Sequence, residues 1–355
     1  MGEGRLMRLE RREHRPIGLV VTAPIIAILV ALGLSGILIA LAGAPVLEAY
    51  QRILISAFGS RLAATETLTR TTPLILTGLA VAVAFRARVW NIGAEGQFYV
   101  GALAAAALGS QHGLALPGYA LVPALMLVGA VAGIVLLLLP LALRLRFGVD
   151  EVVTTLLLNF VVLLFVSMMI EGPMKDPLAF GWPQSVPVIG DALLPKLVER
   201  SRLHIGLVFA VIAALIVFIV QSRTVFGMEA RAAGLNPSAA RFAGVPLGAT
   251  LVKVACWSGG LAGLAGAIEV MGVKGYVTTD LSPGYGYAGI VVAMLANLHP
   301  LGVVAAALFA ATMFVGSDGM SRALGVPSFI ADVTVALSLL TMLVALFFTT
   351  YRIRR

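Results

Sequence analysis

One cysteine, Cys256, stands alone among 355 residues, so the chain can form neither an intrachain disulfide nor a cysteine-based zinc site. Histidine is nearly as scarce. Of the four, His14 lies in a basic leader, His112 and His204 fall near span boundaries and His299 precedes Pro300 as a turn residue, so no H-E-x-x-H pattern or histidine–carboxylate cluster arises. The phosphate-cradling pattern G-x-x-x-x-G-K-[ST] is absent, which denies the chain a nucleotide-hydrolysing loop of that type. Charge is sparse too. With 12% charged residues, 60% hydrophobic residues and a mean hydropathy of +1.01, a soluble fold would lack the polar surface to cover itself. Lipid must therefore be part of the solvent. Backbone polar groups in lipid pair internally, in helices or closed barrels, and long Ala/Leu/Val/Gly runs without polar alternation exclude the barrel. The fold class is all-α and polytopic.

The charge that is present is positive, +8 net with an isoelectric point near 10.1. In a soluble protein that balance suggests nucleic acid; here the arginines sit in short clusters between apolar spans, as the positive-inside rule requires, and nucleic acid is not expected as a partner. Residues 1–16 read as a basic cytoplasmic leader (Arg5, Arg8, Arg11, Arg12, Arg15), and residues 17–41 are too long for a signal h-region and read as a retained first helix. About ten spans follow from the apolar runs: 17–41, 72–85, 96–110, 119–143, 150–171, 203–221, 250–271, 284–297, 300–316 and 326–349. With the leader inside, Arg86, Arg88, Arg144, Arg146, Arg223, Arg231, Arg241, Lys253 and the tail at 350–355 also fall inside, which gathers 16 of the 25 Lys and Arg residues there. Both termini are expected in the cytoplasm, around a single membrane domain over 17–349.

Several spans are shorter than a full crossing, and the pairs 72–85 with 96–110 and 284–297 with 300–316 have the Gly- or Pro-interrupted form of broken helices along a translocation route. Short helices packed among tilted neighbours would give the same pattern. The loop at 172–202 carries five prolines and is expected to be external and irregular, with a short helix at 191–200. The loop at 222–245 is cytoplasmic in this scheme and reads as two short helices separated by Gly234, with Asn236 as N-cap and Pro237 at the first helical position. A helix pair standing in the cytoplasm is a handle for a partner.

Three polar features interrupt the apolar runs. Trp90, Asn91, Glu95 and Gln97 form a glycine-bearing insert before a helix, either a surface cap or a ligand contact. Thr155 and Asn159 share a helix face, lining a polar route or bonding a neighbouring helix, while Asp150 and Glu151 cap that helix's N-terminus. Glu269 and Asp332 lie near span ends and read as interfacial, since a carboxylate at mid-membrane costs roughly 2 to 3 kcal/mol. The small-residue run GGLAGLAGA from Gly259 is a close-packing face that also accounts for Ser258, so Ser258→Ala is expected to be nearly silent.

At this level of detail the chain resembles a known family. The runs AFRARVWNIGAEGQFYVGA, GVDEVVTTLLLNFVVLLFVSMMIEGPMKDP with WPQS following, RAAGLNPSAARFAGV and GYGYAGIVVAMLANLHPLG occur in the order found in permease subunits of bacterial ABC importers. They are similar to the nucleoside and simple-sugar branch of the branched-chain amino acid and ribose-type superfamily, over nearly the whole chain from residue 72 onward. The resemblance implies a type II importer fold in the bacterial cytoplasmic membrane, a second homologous permease, an external solute-binding lipoprotein, and an ABC ATPase that uses ATP and magnesium. This chain itself would bind no cofactor and catalyse no reaction. It further implies that the loop around residues 231–245 docks on the ATPase, with Glu229, Arg231, Gly234, Asn236, Pro237, Arg241 and Gly244 as coupling residues. Trp90, Asn91, Glu95, Gln97, Thr155, Asn159 and Asn297 are then the candidates for the translocation path, and a nucleoside, a simple sugar or a branched-chain amino acid the cargo. A secondary transporter and an intramembrane hydrolase using Ser258 are the readings from other classes.

Overall fold

The computed structural model describes residues 8–11, 17–111, 113, 114, 116–325, 327, 329, 330, 332–334, 336, 337, 340, 341, 344, 345 and 351–354. Most of the basic leader, His112 and much of the expected span at 326–349 lie outside the described residues. Twelve helices are named here: α1 (Ile17–Leu41), α2 (Val46–Phe58), α3 (Arg61–Arg86), α4 (Ala94–Gly109), α5 (Gly118–Phe147), α6 (Glu151–Glu171), α7 (Gly206–Arg223), α8 (Val225–Leu235), α9 (Pro237–Phe242), α10 (Leu247–Glu269), α11 (Tyr285–Leu295) and α12 (Pro300–Leu324). Strands β1 (Arg8–Arg11) and β2 (Tyr351–Arg354) pair antiparallel with Arg8 opposite Arg354, so the two ends of the chain meet on one side of the molecule.

Among the described residues six helices (α3, α5, α6, α7, α10 with its following turn, and α12) are long and apolar enough to cross a membrane, and a pair bent by 114°, Ile25–Leu41 with Val46–Phe58, has the form of either a broken seventh span or a re-entrant loop. The described residues therefore show fewer than the expected ten: much of 326–349 lies outside the described residues, and the sequence runs at 96–110 and 284–297 form α4 and α11, of 16 and 11 residues. At 1.5 Å per residue these are about 24 and 17 Å long, short of a hydrocarbon core of about 30 Å. The run expected at 72–85 is the second half of a 26-residue helix. Its first half escapes hydropathy because it carries four threonines together with Arg61, Glu66 and Arg70. Their hydroxyls turn back on the chain instead of demanding water: Thr69 donates to Thr65 O and Thr71 to Thr67 O, both at 2.7 Å. In the same way α12 runs past residue 316 to Leu324, where Gly325 at φ 67° ends it, because Asp318 is paired with Arg70 at 3.0 Å.

In lipid, helices gain little from hydrophobic burial against one another and associate through close backbone packing instead. The GGLAGLAGA face of α10 does this against α5 and α4. A Cβ on Gly259 would meet Gly133 O at 2.5 Å, and Gly263, Gly266 and Gly101 are closed in by the backbones of Gly129, Phe98 and Gly263 respectively. The loop at 172–202 lies over this core, held by Ser185 N donating to Val277 O and Leu194 N to Met271 O, each at 2.9 Å. The helix expected at 191–200 reduces to one 3-10 turn, Gly190–Ala192. Pro195 has no N–H to continue a helix, and residues 196–204 double back instead, with Leu197 N donating to Leu203 O.

Candidate functional site

The chain between α3 and α4 is a non-helical crossing from one helix to the next that buries Val89, Asn91 and Gly93 and leaves Arg88 and Trp90 exposed, and its geometry follows from the polar insert. Arg88 turns the chain at φ 54°, and Asn91 then folds over the next helix start, accepting from Gly93 N at 3.0 Å. Asn91 and Gln97 face each other as a reciprocal amide pair at 2.8 and 2.9 Å, and Asn91 also donates to Ser258 Oγ, which donates in turn to Ala80 O at 2.7 Å. Every backbone group buried at the break needs such a partner, because it is cut off from water.

Helix α6 supplies most of the remaining partners from a single stripe. Glu151, Thr155 and Asn159 recur at four-residue spacing and all three are buried. Glu151 accepts from Trp90 N at 2.7 Å and holds Arg144 at 2.6 Å; Thr155 Oγ1 accepts from Ile92 N; Asn159 accepts from Gly96 N, and donates to Ile92 O and Tyr287 Oη. Asp150 alone is the cap expected there, accepting from Val152 N at 2.8 Å; the Glu151 side chain reaches the crossing instead. Of the network's other members, Glu151 read as a cap, Arg144 as an inside charge and Ser258 as part of a packing face, while Tyr287 was not singled out; the i, i+4, i+8 spacing from Glu151 to Asn159 was a readable signal.

The start of α11 closes the crossing from the other side. Glu95 Oε2 accepts from Gly286 N at 2.6 Å, and Tyr99, one turn along α4, donates to Thr279 O and accepts from Ser282 N. A Cβ on Gly286 would land on the backbone nitrogen of Glu95, so the first turns of the two short helices touch backbone to backbone. Of the seven path candidates, Asn91, Glu95, Gln97, Thr155 and Asn159 thus lie in one buried network. Trp90 is 44% exposed, with its ring edge-on to Phe85, and Asn297 stands apart in the α11–α12 turn at φ 50°. Among the described residues no group of His, Cys, Asp and Glu is arranged to hold a metal.

At the α8–α9 end, Asn236 accepts from Ser238 N and Ala239 N at 3.1 Å, and Pro237 opens α9, as the sequence pattern requires. The two helices divide at Asn236 and not at Gly234. Gly234 lies in the last turn of α8, where a Cβ would collide with Arg86 O, so its role is to seat α8 against the end of α3. Glu229 accepts from Thr250 Oγ1 at 3.3 Å and ties α8 to α10. Arg231 and Arg241 are exposed, as are Met228, Leu235 and Phe242, the last at 97%, and Gly244 closes the turn at φ 85°. The pair therefore presents a basic rim around apolar tips.

Glu269 stands at the end of its span, as expected, but is turned inward and not toward solvent. It ends α10 at 5% exposure, and its Oε2 has no hydrogen-bond partner. Asp332 is exposed.

Three relatives extend over most of the chain. The glucose ABC transporter permease protein TsgB13 of Haloferax volcanii is 33% identical over 98% of this chain and 93% of the relative. The guanosine ABC transporter permease protein NupP of Bacillus subtilis is 33% identical over 89% and 91%, and the nucleoside ABC transporter permease protein NupB of Lactococcus lactis 32% identical over 89% and 88%. The family described as branched-chain amino acid transport system / permease component matches residues 63–346. With its all-α membrane architecture, its broken helices and this match over most of its length, the chain belongs to that permease family, as a transport subunit of an ABC importer whose ATPase is a separate partner.

Proposed function

We propose that this chain carries nucleosides inward across the bacterial cytoplasmic membrane by alternating access, as one of two paired permeases. The observation that carries the cargo assignment is the similarity, over about nine-tenths of the chain, to permeases named for guanosine and nucleoside transport. The amides and hydroxyls of Asn91, Gln97, Thr155 and Asn159 are bonded to one another and to the surrounding backbone, so the cargo reading is carried by the relatives alone. A simple sugar is the second reading, favoured by the likeness to TsgB13.

In this scheme α8 and α9 stand in the cytoplasm and dock in the ATPase, which binds ATP and magnesium. Phe242 and Leu235 enter the partner's groove, Arg231 and Arg241 ring it, and Gly234 passes the movement to α3 through its contact with the Arg86 backbone. The meeting of β1 with β2 supports placing both termini on one side of the membrane. The loop at 172–202 faces outward, where a solute-binding lipoprotein delivers the cargo. Competition against ATP-driven guanosine uptake tests the assignment: nucleosides should compete, and exclusive competition by glucose or by a branched-chain amino acid would overturn it.

A further inference from the structure

At the outer end of α3, α10 and α12 lies a cavity of about 360 Å³, within the size range of small-molecule sites, which adjoins a wider one of about 600 Å³. Nearly every charge in its wall is already matched. Glu66 holds Arg202 through two bonds, at 2.6 and 3.1 Å; Arg70 pairs with Asp318 at 3.0 Å, and Lys274 with Asp280 at 3.2 Å. Glu269 is the exception. Its side chain lines the cavity, it joins no ion pair among the described residues, and Oε2 is buried without a donor. A buried polar atom left without a partner costs about 1 to 3 kcal/mol, so a site of this kind is expected to be completed by something that binds.

Resting on the importer reading above, we propose that this cavity is an outer binding station for the cargo, in which Glu269 accepts hydrogen bonds from a vicinal diol of a neutral, polyhydroxylated solute. A carboxyl group takes two adjacent hydroxyl donors side by side, while the flanking Arg70 and Arg202 donate to the solute's remaining oxygens. The same two guanidinium groups disfavour a cation at Glu269, and Glu66 and Asp318 disfavour an anion. Two further features place the cavity on the route. Glu269 is followed by a five-residue π-turn, Val270–Lys274, a deformation often found at functional sites. Tyr285 in the cavity wall opens α11, one residue before the Gly286 N–H that donates to Glu95, so the cavity adjoins the contact between the two short helices α11 and α4.

The test is equilibrium binding of tritiated guanosine and glucose to the complete permease–ATPase complex in nanodiscs, without the external binding protein, alongside ATP-driven uptake by the same preparation supplied with that protein. Wild type should bind at least one of the two solutes. Glu269→Gln, which nearly preserves shape, should weaken that binding at least tenfold, and 2′,3′-dideoxyguanosine should bind wild type and variant equally. Should Glu269→Gln fail to fold, Glu269→Asp, which withdraws the carboxyl by one methylene, should show the same direction of loss. Uptake by wild type with no binding, or with binding indifferent to Glu269, overturns the station and leaves the importer reading intact. Failure of wild type to take up either solute overturns the cargo assignment and the station with it.

Discussion

Glu95 and Gly286, 191 residues apart, are joined by a 2.6 Å hydrogen bond from the Gly286 N–H to the Glu95 carboxyl. The side chain from the first turn of one short helix caps the first turn of another, and neither helix is long enough to cross a membrane alone. Gly286→Val should therefore abolish folded protein, since the new side chain falls on the Glu95 backbone. Glu95→Ala should fold with a loss of roughly 1 to 3 kcal/mol, the cost of an unsatisfied buried N–H. Thermal unfolding of detergent-purified variants measures both; an unchanged melting temperature for Glu95→Ala would show the cap to be dispensable.

Ser258→Ala removes the acceptor for Asn91 and the donor to Ala80 O, so the nearly silent substitution expected from the small-residue pattern gives way to a destabilisation of about 1 to 2 kcal/mol. Transport should persist at reduced protein level. A fully folded, transport-dead Ser258→Ala protein would point back to serine chemistry.

On the α8–α9 pair, Phe242→Ala and Arg241→Glu leave the fold untouched, because both side chains project into open space. Uptake should fall at least tenfold while the melting temperature stays within about a degree of wild type, in keeping with surface substitutions being worth under ~0.5 kcal/mol. Uptake at the wild-type rate would remove the docking role from this pair.

His204 lies buried beneath the 172–202 loop with Nδ1 accepting from Gly206 N, and burial, reinforced by Lys196, pushes it down from 6.5 to about 4. The folded state thus binds the proton less readily than the unfolded chain. Stability is full above pH 6.5 and falls as pH drops from 6.5 to about 4, by on the order of 3 kcal/mol in all. A melting temperature measured across that window should decline in wild type and decline less in His204→Gln. Parallel slopes would assign the pH dependence elsewhere.

How much of this was legible beforehand depended on what each residue's partner was. Asn236 and Pro237 fixed the start of α9 from local chemistry alone, because a cap bonds its own next turn. The long spans α5, α6 and α7 were legible for the same reason, since lipid exposure writes itself as an unbroken apolar run. The first half of α3 was not, because its threonine hydroxyls are satisfied within the helix and hydropathy counts them as polar. Glu151 read as a cap and Glu269 as interfacial. Glu151 also binds a loop some sixty residues upstream and Glu269 lines a cavity, and both relations exist only once the helices are assembled.

The central claim is that solute crosses through this chain only when a partner ATPase drives it. Proteoliposomes containing the chain, its partner permease and the ATPase, with the binding protein and radiolabelled guanosine outside the cytoplasmic face, measure that directly. The account predicts accumulation against a gradient when ATP is present on the cytoplasmic side and none when the ATPase is omitted. Accumulation driven by a proton or sodium gradient without ATP would contradict it.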